Sequence, residues 1–217
     1  MSKDLRGKTW KRLQKADSQR QRGQYTDALS ILAKAEQLAH KAKAPDVLSA
    51  IFWTTASVMQ SKGMFDESLR LHTAALNIQE ELVKFDPFFN TWVATTLNNL
   101  GNLLSAMGRP DDAKTKYERG LDMREALLLT DPASRVYQSD VSMTLNNLGN
   151  LLNNMGRPDD AKTRYERALE MREALLLTDP ASRVYQSDVS MTLNNLGNLL
   201  SNLQGTPTWD RCRYLHN

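Results

Sequence analysis

Residues 108–155 read GRPDDAKTKYERGLDMREALLLTDPASRVYQSDVSMTLNNLGNLLNNM, and residues 156–203 read GRPDDAKTRYERALEMREALLLTDPASRVYQSDVSMTLNNLGNLLSNL. The two stretches differ at five of 48 positions, so one is a duplicate of the other. The duplication carries its own turn sites, Gly-Arg-Pro and Asp-Pro. The unit is therefore a complete structural module, and the chain is an array of such modules.

Each module contains two helical patterns. Tyr137, Val141, Leu145, Leu148, Leu152 and Met155 recur at steps of four and three, the signature of one helix face. Ala161, Tyr165, Ala168, Leu169, Arg172 and Leu176 repeat the pattern in the second half. Few β-branched residues interrupt either segment. Gly156 suits the left-handed position that ends the first helix. Pro158 suits the first turn of the second helix, where its missing N–H costs nothing. Asp159 and Asp160 then lie at the positive end of that helix dipole. Asp179 is expected to cap the following helix, whereas Arg157 is a poor cap. Gly149 falls inside a helix, where glycine costs about 1 kcal/mol against alanine. Close helix approach within the repeat is expected to offset that cost, and Tyr165 by itself reads as a core plug.

Working outward, Gly23, Gly63, Gly108 and Gly156 are spaced 40, 45 and 48 apart. The more diverged N-terminal segments keep the plan. Gly63, Ser68, His72, Ala75 and Asp86-Pro87 fall in register, as do Gly23, Tyr25, Ala28, Leu32 and Ala35. His72 takes the position of Tyr165 and reads as a packing residue. The pattern predicts helices at 4–22, 25–43, 46–62, 65–84, 88–107, 110–130, 133–155, 158–178 and 181–203. It predicts one domain over 1–203, with repeats at about 9–44, 46–87, 88–131 and 133–179 and a half repeat at 181–203. The tail 204–217 reads either as an irregular end or as a truncated second helix with Asp210 where Ala161 sits.

Leu145, Leu148, Gly149, Leu152, Ala161, Tyr165 and Ala168 resemble the tetratricopeptide consensus, with Leu145 where that family often has Trp. Leu97, Leu100, Gly101, Leu104, Ala113 and Tyr117 match it once more, with Gly120 departing from the expected Ala. The period of 48 exceeds the usual repeat of about 34 residues. The strings TLNNLGNLL and YERALEMREALL resemble the kinesin-light-chain-like branch, and the near-identical duplication resembles arrays of methanogenic archaea. The resemblance implies an all-α fold, a right-handed α-solenoid of antiparallel helix pairs. It also implies a non-enzymatic scaffold that binds an extended peptide or a partner protein in a concave groove.

In that family the groove is lined by the first-helix positions occupied here by Met143, Asn147, Asn150 and Asn154. The same positions elsewhere are Thr95, Asn99, Asn102 and Ala106, then Met191, Asn195, Asn198 and Asn202, and in the second repeat Ala50, Thr54, Ser57 and Ser61. Asparagine is up to ~0.7 kcal/mol worse than alanine in a helix, so something other than helix stability favours this run. A ladder of amides serving a peptide backbone is one reading. Asn–Asn bonding between adjacent first helices, with Asn98, Asn146 and Asn194 flanking the face, is the other. The groove positions from 50 to 202 hold no Lys or Arg, which argues against a clamp for a peptide carboxylate and for a neutral or amide-seeking peptide.

Composition excludes other classes. With 41% hydrophobic and 24% charged residues, the chain can build a packed core. It has no long apolar run, no secretory pattern at its N-terminus and one cysteine, Cys212, which favours a cytoplasmic setting without membrane contact. The histidines His40, His72 and His216 show no metal-ligand spacing, the glycines end helices and cradle no phosphate, and no acid, base and nucleophile can be assembled. No cofactor or metal is expected. Residues 1–45 carry eleven Lys/Arg against four Asp/Glu. Lys8, Lys11, Arg12, Lys15, Arg20 and Arg22 would suit nucleic acid, but Trp10 is the one nearby aromatic for base stacking, and that reading ranks third, ahead of an enzyme. Helix 181–203 lacks a full partner, so Leu193, Leu196 and Leu200 predict end-to-end association between copies.

Overall fold

The structure, a computed structural model, describes the backbone of residues 2–205 and the side chains of residues 5–203. The tail 206–217, with Asp210, Cys212 and His216, lies outside the described residues. Among the described residues the chain forms nine α-helices and one 3-10 turn. They are α1 (Ser2–Gln21), α2 (Tyr25–Ala42), α3 (Pro45–Ser61), α4 (Phe65–Val83), α5 (Asn90–Ala106), α6 (Pro110–Thr130), α7 (Arg135–Asn154), α8 (Pro158–Thr178) and α9 (Arg183–Gly205), with the turn Pro87–Phe89 before α5. The helices group into two compact units, Met1–Met123 and Arg124–Asn217. Within each unit consecutive helices pack in pairs, the arrangement of a tetratricopeptide-type α-solenoid.

The turns follow from the glycines. At the end of α7, Gly156 adopts φ +72°. Its N–H donates to Asn153 O at 3.0 Å, and the N–H of Arg157 donates to Leu152 O at 2.9 Å. This pair of bonds satisfies the last carbonyls of the helix. Pro158 then opens α8 with no side-chain cap from Arg157. The Asp-Pro turns differ from expectation. Asp179 does not cap α9; its backbone carbonyl accepts from Ser182 N–H at 3.1 Å, and α9 starts at Arg183. Ser182 and Ser134 take the capping role, each accepting from a helix N–H at 3.4 Å. The start of α9 thereby moves from 181 to Arg183, about half a turn.

In the later repeats each helix pair is sealed by a tyrosine plug. Leu145 and Leu148 are wholly buried, and Tyr165 is 1% exposed. A Cβ at Gly149 would lie 2.6 Å from Tyr165 Cε1. Only glycine lets the ring approach that closely. Gly101 stands in the same relation to Tyr117, again at 2.6 Å. Leu175 is buried where the periodicity had pointed to Leu176, a one-residue rotation of the α8 stripe.

Neighbouring pairs in Arg124–Asn217 are joined through buried arginines. The Arg172 guanidinium is 3% exposed and donates to Asp188 O at 2.7 Å and to Thr192 Oγ1 at 2.5 Å. Arg124, 2% exposed, donates in the same way to Asp140 O at 2.9 Å and to Thr144 Oγ1. Burial lowers the pKa of both guanidiniums, and Asp140 and Asp188 oppose that shift. In Met1–Met123 the same register position holds Gln79, whose Oε1 accepts from Thr96 Oγ1 at 2.8 Å.

Candidate functional site on the first-helix faces

The groove positions lie on the odd-numbered helices. In Arg124–Asn217 they are open to solvent, as the register predicts. Asn150, Asn154, Asn198 and Asn202 are exposed, and Asn147 and Asn195 are half-buried. The opposite edge of α7, with Leu145, Leu148 and Leu152, is in the dry interior. In Met1–Met123, Asn102 is exposed and Asn99 half-buried. Thr54 departs from this pattern: it is 3% exposed, and its hydroxyl donates to Ala50 O at 2.9 Å.

Part of the amide ladder is occupied within the protein. The Tyr165 hydroxyl donates to Asn150 Oδ1 at 2.6 Å, and the Tyr117 hydroxyl donates to Asn102 Oδ1 at 2.5 Å. The tyrosine plug of each of these two repeats thus orients one groove amide. The carbonyl faces the tyrosine, and the NH2 donors are left for solvent or a ligand. Burial pushes the Tyr165 phenol up to about 12, so it stays protonated and donating at neutral pH. Asn195 donates from Nδ2 to Asn146 Oδ1 at 3.2 Å, which joins α9 to the buried Asn146 of α7. The reading of Asn–Asn bonds between adjacent first helices therefore applies at this position.

A second feature lies entirely within Met1–Met123. A cavity of about 440 Å³ opens among α1, α3 and α5, walled by Trp10, Trp53 and Trp92. Trp10 and Trp92 meet edge to face, with ring centroids 6.3 Å apart. Phe89 packs on the far side of Trp92 at 5.2 Å. Gln79, held by Thr96, contributes from α4. Asp17 is the single charged residue of the lining, and both its oxygens are engaged. Oδ1 accepts from Arg20 Nε at 2.8 Å and Oδ2 from Gln21 Nε2 at 2.9 Å. The cavity offers an apolar, aromatic surface and no free cation.

The register that marks the groove also marks this cavity. Thr95 and Ala50 each precede their turn glycine by thirteen residues, and so does Trp10 relative to Gly23. Extending the pattern along α1 selects Trp10, Gln14 and Asp17, and all three line the cavity. Carrying the glycine spacing one repeat further would have found them. Trp53, one residue before Thr54, and Trp92, three before Thr95, are not register positions and give no such signal. The same geometry bears on the basic helix. Trp10 faces the cavity, Arg20 pairs with Asp17, and Arg6 pairs with Asp46, so this part of α1 presents no free aromatic for a base.

Among the described residues no group of three or more His, Cys, Asp or Glu side chains could hold a metal ion, and no helix is long and apolar enough to cross a membrane. His72 is wholly buried, with neither ring nitrogen hydrogen-bonded.

Comparison with known proteins agrees with the repeat reading. Residues 93–133 and 141–181 match the family model "Tetratricopeptide repeat". No curated protein sequence matches the chain. The fold is similar to the crystal structure of BtubC (BKLC) from P. vanneervenii, with a TM-score of 0.70 at 24% identity over 86% of this chain and 69% of that one. It is also similar to the apo form of RapI, with a TM-score of 0.70 at 14% identity over 90% of this chain and 49% of that one. The two matched segments, each with its glycine-tyrosine plug, are tetratricopeptide repeats.

Proposed function

We propose that the protein is a non-enzymatic interaction scaffold that binds an extended peptide or a segment of a partner protein along its first-helix faces. The observation that carries this reading is the cavity walled by Trp10, Trp53 and Trp92, which sits on the groove register itself. A large apolar side chain of the ligand enters the cavity. Within Met1–Met123 the outward NH2 group of Asn102 donates to the ligand's backbone; in Arg124–Asn217, Asn150 and Asn198 offer donors of the same kind.

Magnitudes support this division of labour. Amides alone supply a net ~1 kcal/mol per hydrogen bond, against an association cost of ~4–15 kcal/mol. A buried large apolar side chain adds about 1.5–3 kcal/mol. The cavity thus moves the expected affinity from weaker than micromolar into the micromolar range. The absence of Lys and Arg from the groove positions favours a neutral peptide segment over a terminal carboxylate.

Selection of displayed random peptides against the full chain tests this. The selected peptides share a large apolar residue. They lose at least tenfold in affinity for Ala50→Trp, which fills the cavity from a half-buried position. Peptides bound equally by both chains, with the variant melting as the parent does, would refute the cavity as the anchor.

A further inference from the structure

Three of the chain's four tryptophans, Trp10, Trp53 and Trp92, meet at one cavity within Met1–Met123, and all three are half-buried. The fold does not call for indoles at two of these positions. Trp53 lies ten residues before its turn glycine and Trp92 sixteen. The same places in the later repeat hold Asn146 and Asp140, and α7 forms with those polar residues. The indoles are held in position before any ligand arrives. Trp10 and Trp92 stand at 80° with their centroids 6.3 Å apart. Phe89 braces Trp92 at 5.2 Å, and Trp53 packs edge to face on the buried His72 at 6.4 Å. The result is an aromatic enclosure with walls from three helices around about 440 Å³.

The polar groups of the wall narrow the ligand class. Asp17 is the one charged residue of the lining, and no Lys or Arg lines it among the described residues. The acceptors deepest in the wall are committed. Asp17 Oδ1 accepts from Arg20, its Oδ2 from Gln21, and Gln79 Oε1 from Thr96. A primary ammonium entering here would leave water with three N–H donors to satisfy and would meet acceptors already in use. A trimethylammonium group has no N–H to satisfy. Its methyl groups bury apolar area, and its charge is attracted by indole faces within about 6 Å of the ring centroid. Arg20 offsets part of the Asp17 charge, so the indoles supply the main attraction. We infer that the cavity is a cage for a trimethylammonium group, carried by a small molecule such as choline or by a methylated lysine of a partner peptide. This rests on the reading of the cavity as the ligand anchor, and it adds a cationic head group to the apolar side chains of that reading.

Titrations of the full chain with four probes test this, read by calorimetry and by the tryptophan fluorescence. The probes are choline, its neutral isostere 3,3-dimethylbutanol, and a short uncharged peptide carrying either one trimethyllysine or one lysine. Choline is expected to saturate the chain and to bind roughly fivefold or more tightly than the isostere. The trimethyllysine peptide is expected to exceed the lysine peptide by at least tenfold. Ala50→Trp, which fills the cavity, weakens both cations at least tenfold while the chain melts as the parent does. The comparison of choline with its isostere needs no substitution, so it stands even where a variant folds poorly. Tighter binding of the trimethyllysine peptide than of choline supports the cage and assigns the group to a partner side chain. Choline binding as tightly as the peptide supports it and assigns the group to a small molecule. No saturable binding of either cation, equal affinity for the neutral isostere, or full cation binding by a folded Ala50→Trp chain would overturn the inference. The dependence of the selected apolar peptides on Ala50→Trp is measured without either cation, so the two readings fail separately.

Discussion

The diverged repeats before residue 88 and the near-identical repeats after it solve the same packing problem with different residues. In the later repeats the plug is a tyrosine over glycine, Tyr117 over Gly101 and Tyr165 over Gly149. At the same register the second repeat has His72 with Ala56, and the first has Leu32 with Ala16, all four buried. As the plug shrinks, the hole gains a Cβ, so the volume at the contact is kept roughly constant. The links between pairs vary likewise, with Ala39 and Ile51 early, Gln79 and Thr96 next, then Arg124 with Thr144 and Arg172 with Thr192. The groove faces diverge most. The early register positions surround a tryptophan-walled cavity, and the later ones carry outward amides. The fold needs volume and hydrogen-bond closure at plug and link. It leaves the exposed face free to differ.

The comparison can be broken at its plugs. The largest effect is expected for Tyr165→Ala, which empties a fully buried site and costs on the order of 3–5 kcal/mol in urea unfolding. Unchanged unfolding would remove the plug from the account. Next comes His72, whose burial holds its pKa at about 4, against 6.5 when unfolded. The lowered value means that the folded state keeps a neutral imidazole while the unfolded state takes up a proton. Its contribution is complete above pH 6.5 and is lost as pH falls toward 4, a change of roughly 3 kcal/mol. Denaturation followed from pH 7.5 to 4.5 shows this loss, and His72→Phe flattens it. A slope unchanged in the variant would place the proton uptake elsewhere. Gly149→Ala is expected to cost about 1–3 kcal/mol by overpacking against the tyrosine ring. Pairing it with Tyr165→His, which recreates the combination at 56 and 72, recovers part of that loss in a double-mutant cycle. Gly120→Ala has the smallest effect and the opposite sign. A Cβ there meets Leu97 Cβ and Ala94 O at 3.4 Å, so the melting temperature rises with about 0.4–1 kcal/mol of added stability.

Most helix boundaries were legible because glycine and proline punctuate them locally. Gly23, Gly63, Gly108 and Gly156 all adopt the left-handed conformation that the turns require. The Asp-Pro turns were less legible. Asp179 and Ser182 are both good caps, and only the observed backbone decides between them. Periodicity placed Arg172 on the inward stripe but could not name its partners, Asp188 and Thr192, which belong to the next module. The amides at 147, 150, 154, 198 and 202 were placed on the correct side of their helices, since that follows from the leucines opposite. That Tyr165 orients Asn150, and that Asn195 reaches Asn146, depends on side-chain length and rotamer, which a helical register does not carry. The tryptophan cavity was the larger omission. Its residues come from four helices, and sequence spacing links Trp10, Gln14, Asp17, Ala50, Thr54 and Thr95 to the groove but not Trp53, Gln79 or Trp92.

Calorimetric titration of one selected peptide into three chains separates the cavity from the amides beside it: the parent, Ala50→Trp, and the double Asn99→Ala, Asn102→Ala variant. Filling the cavity is predicted to weaken binding tenfold or more, and removing the amides to weaken it by a smaller factor. Full affinity in the Ala50→Trp chain would contradict the assignment of the first-helix face as the binding surface anchored by Trp10, Trp53 and Trp92.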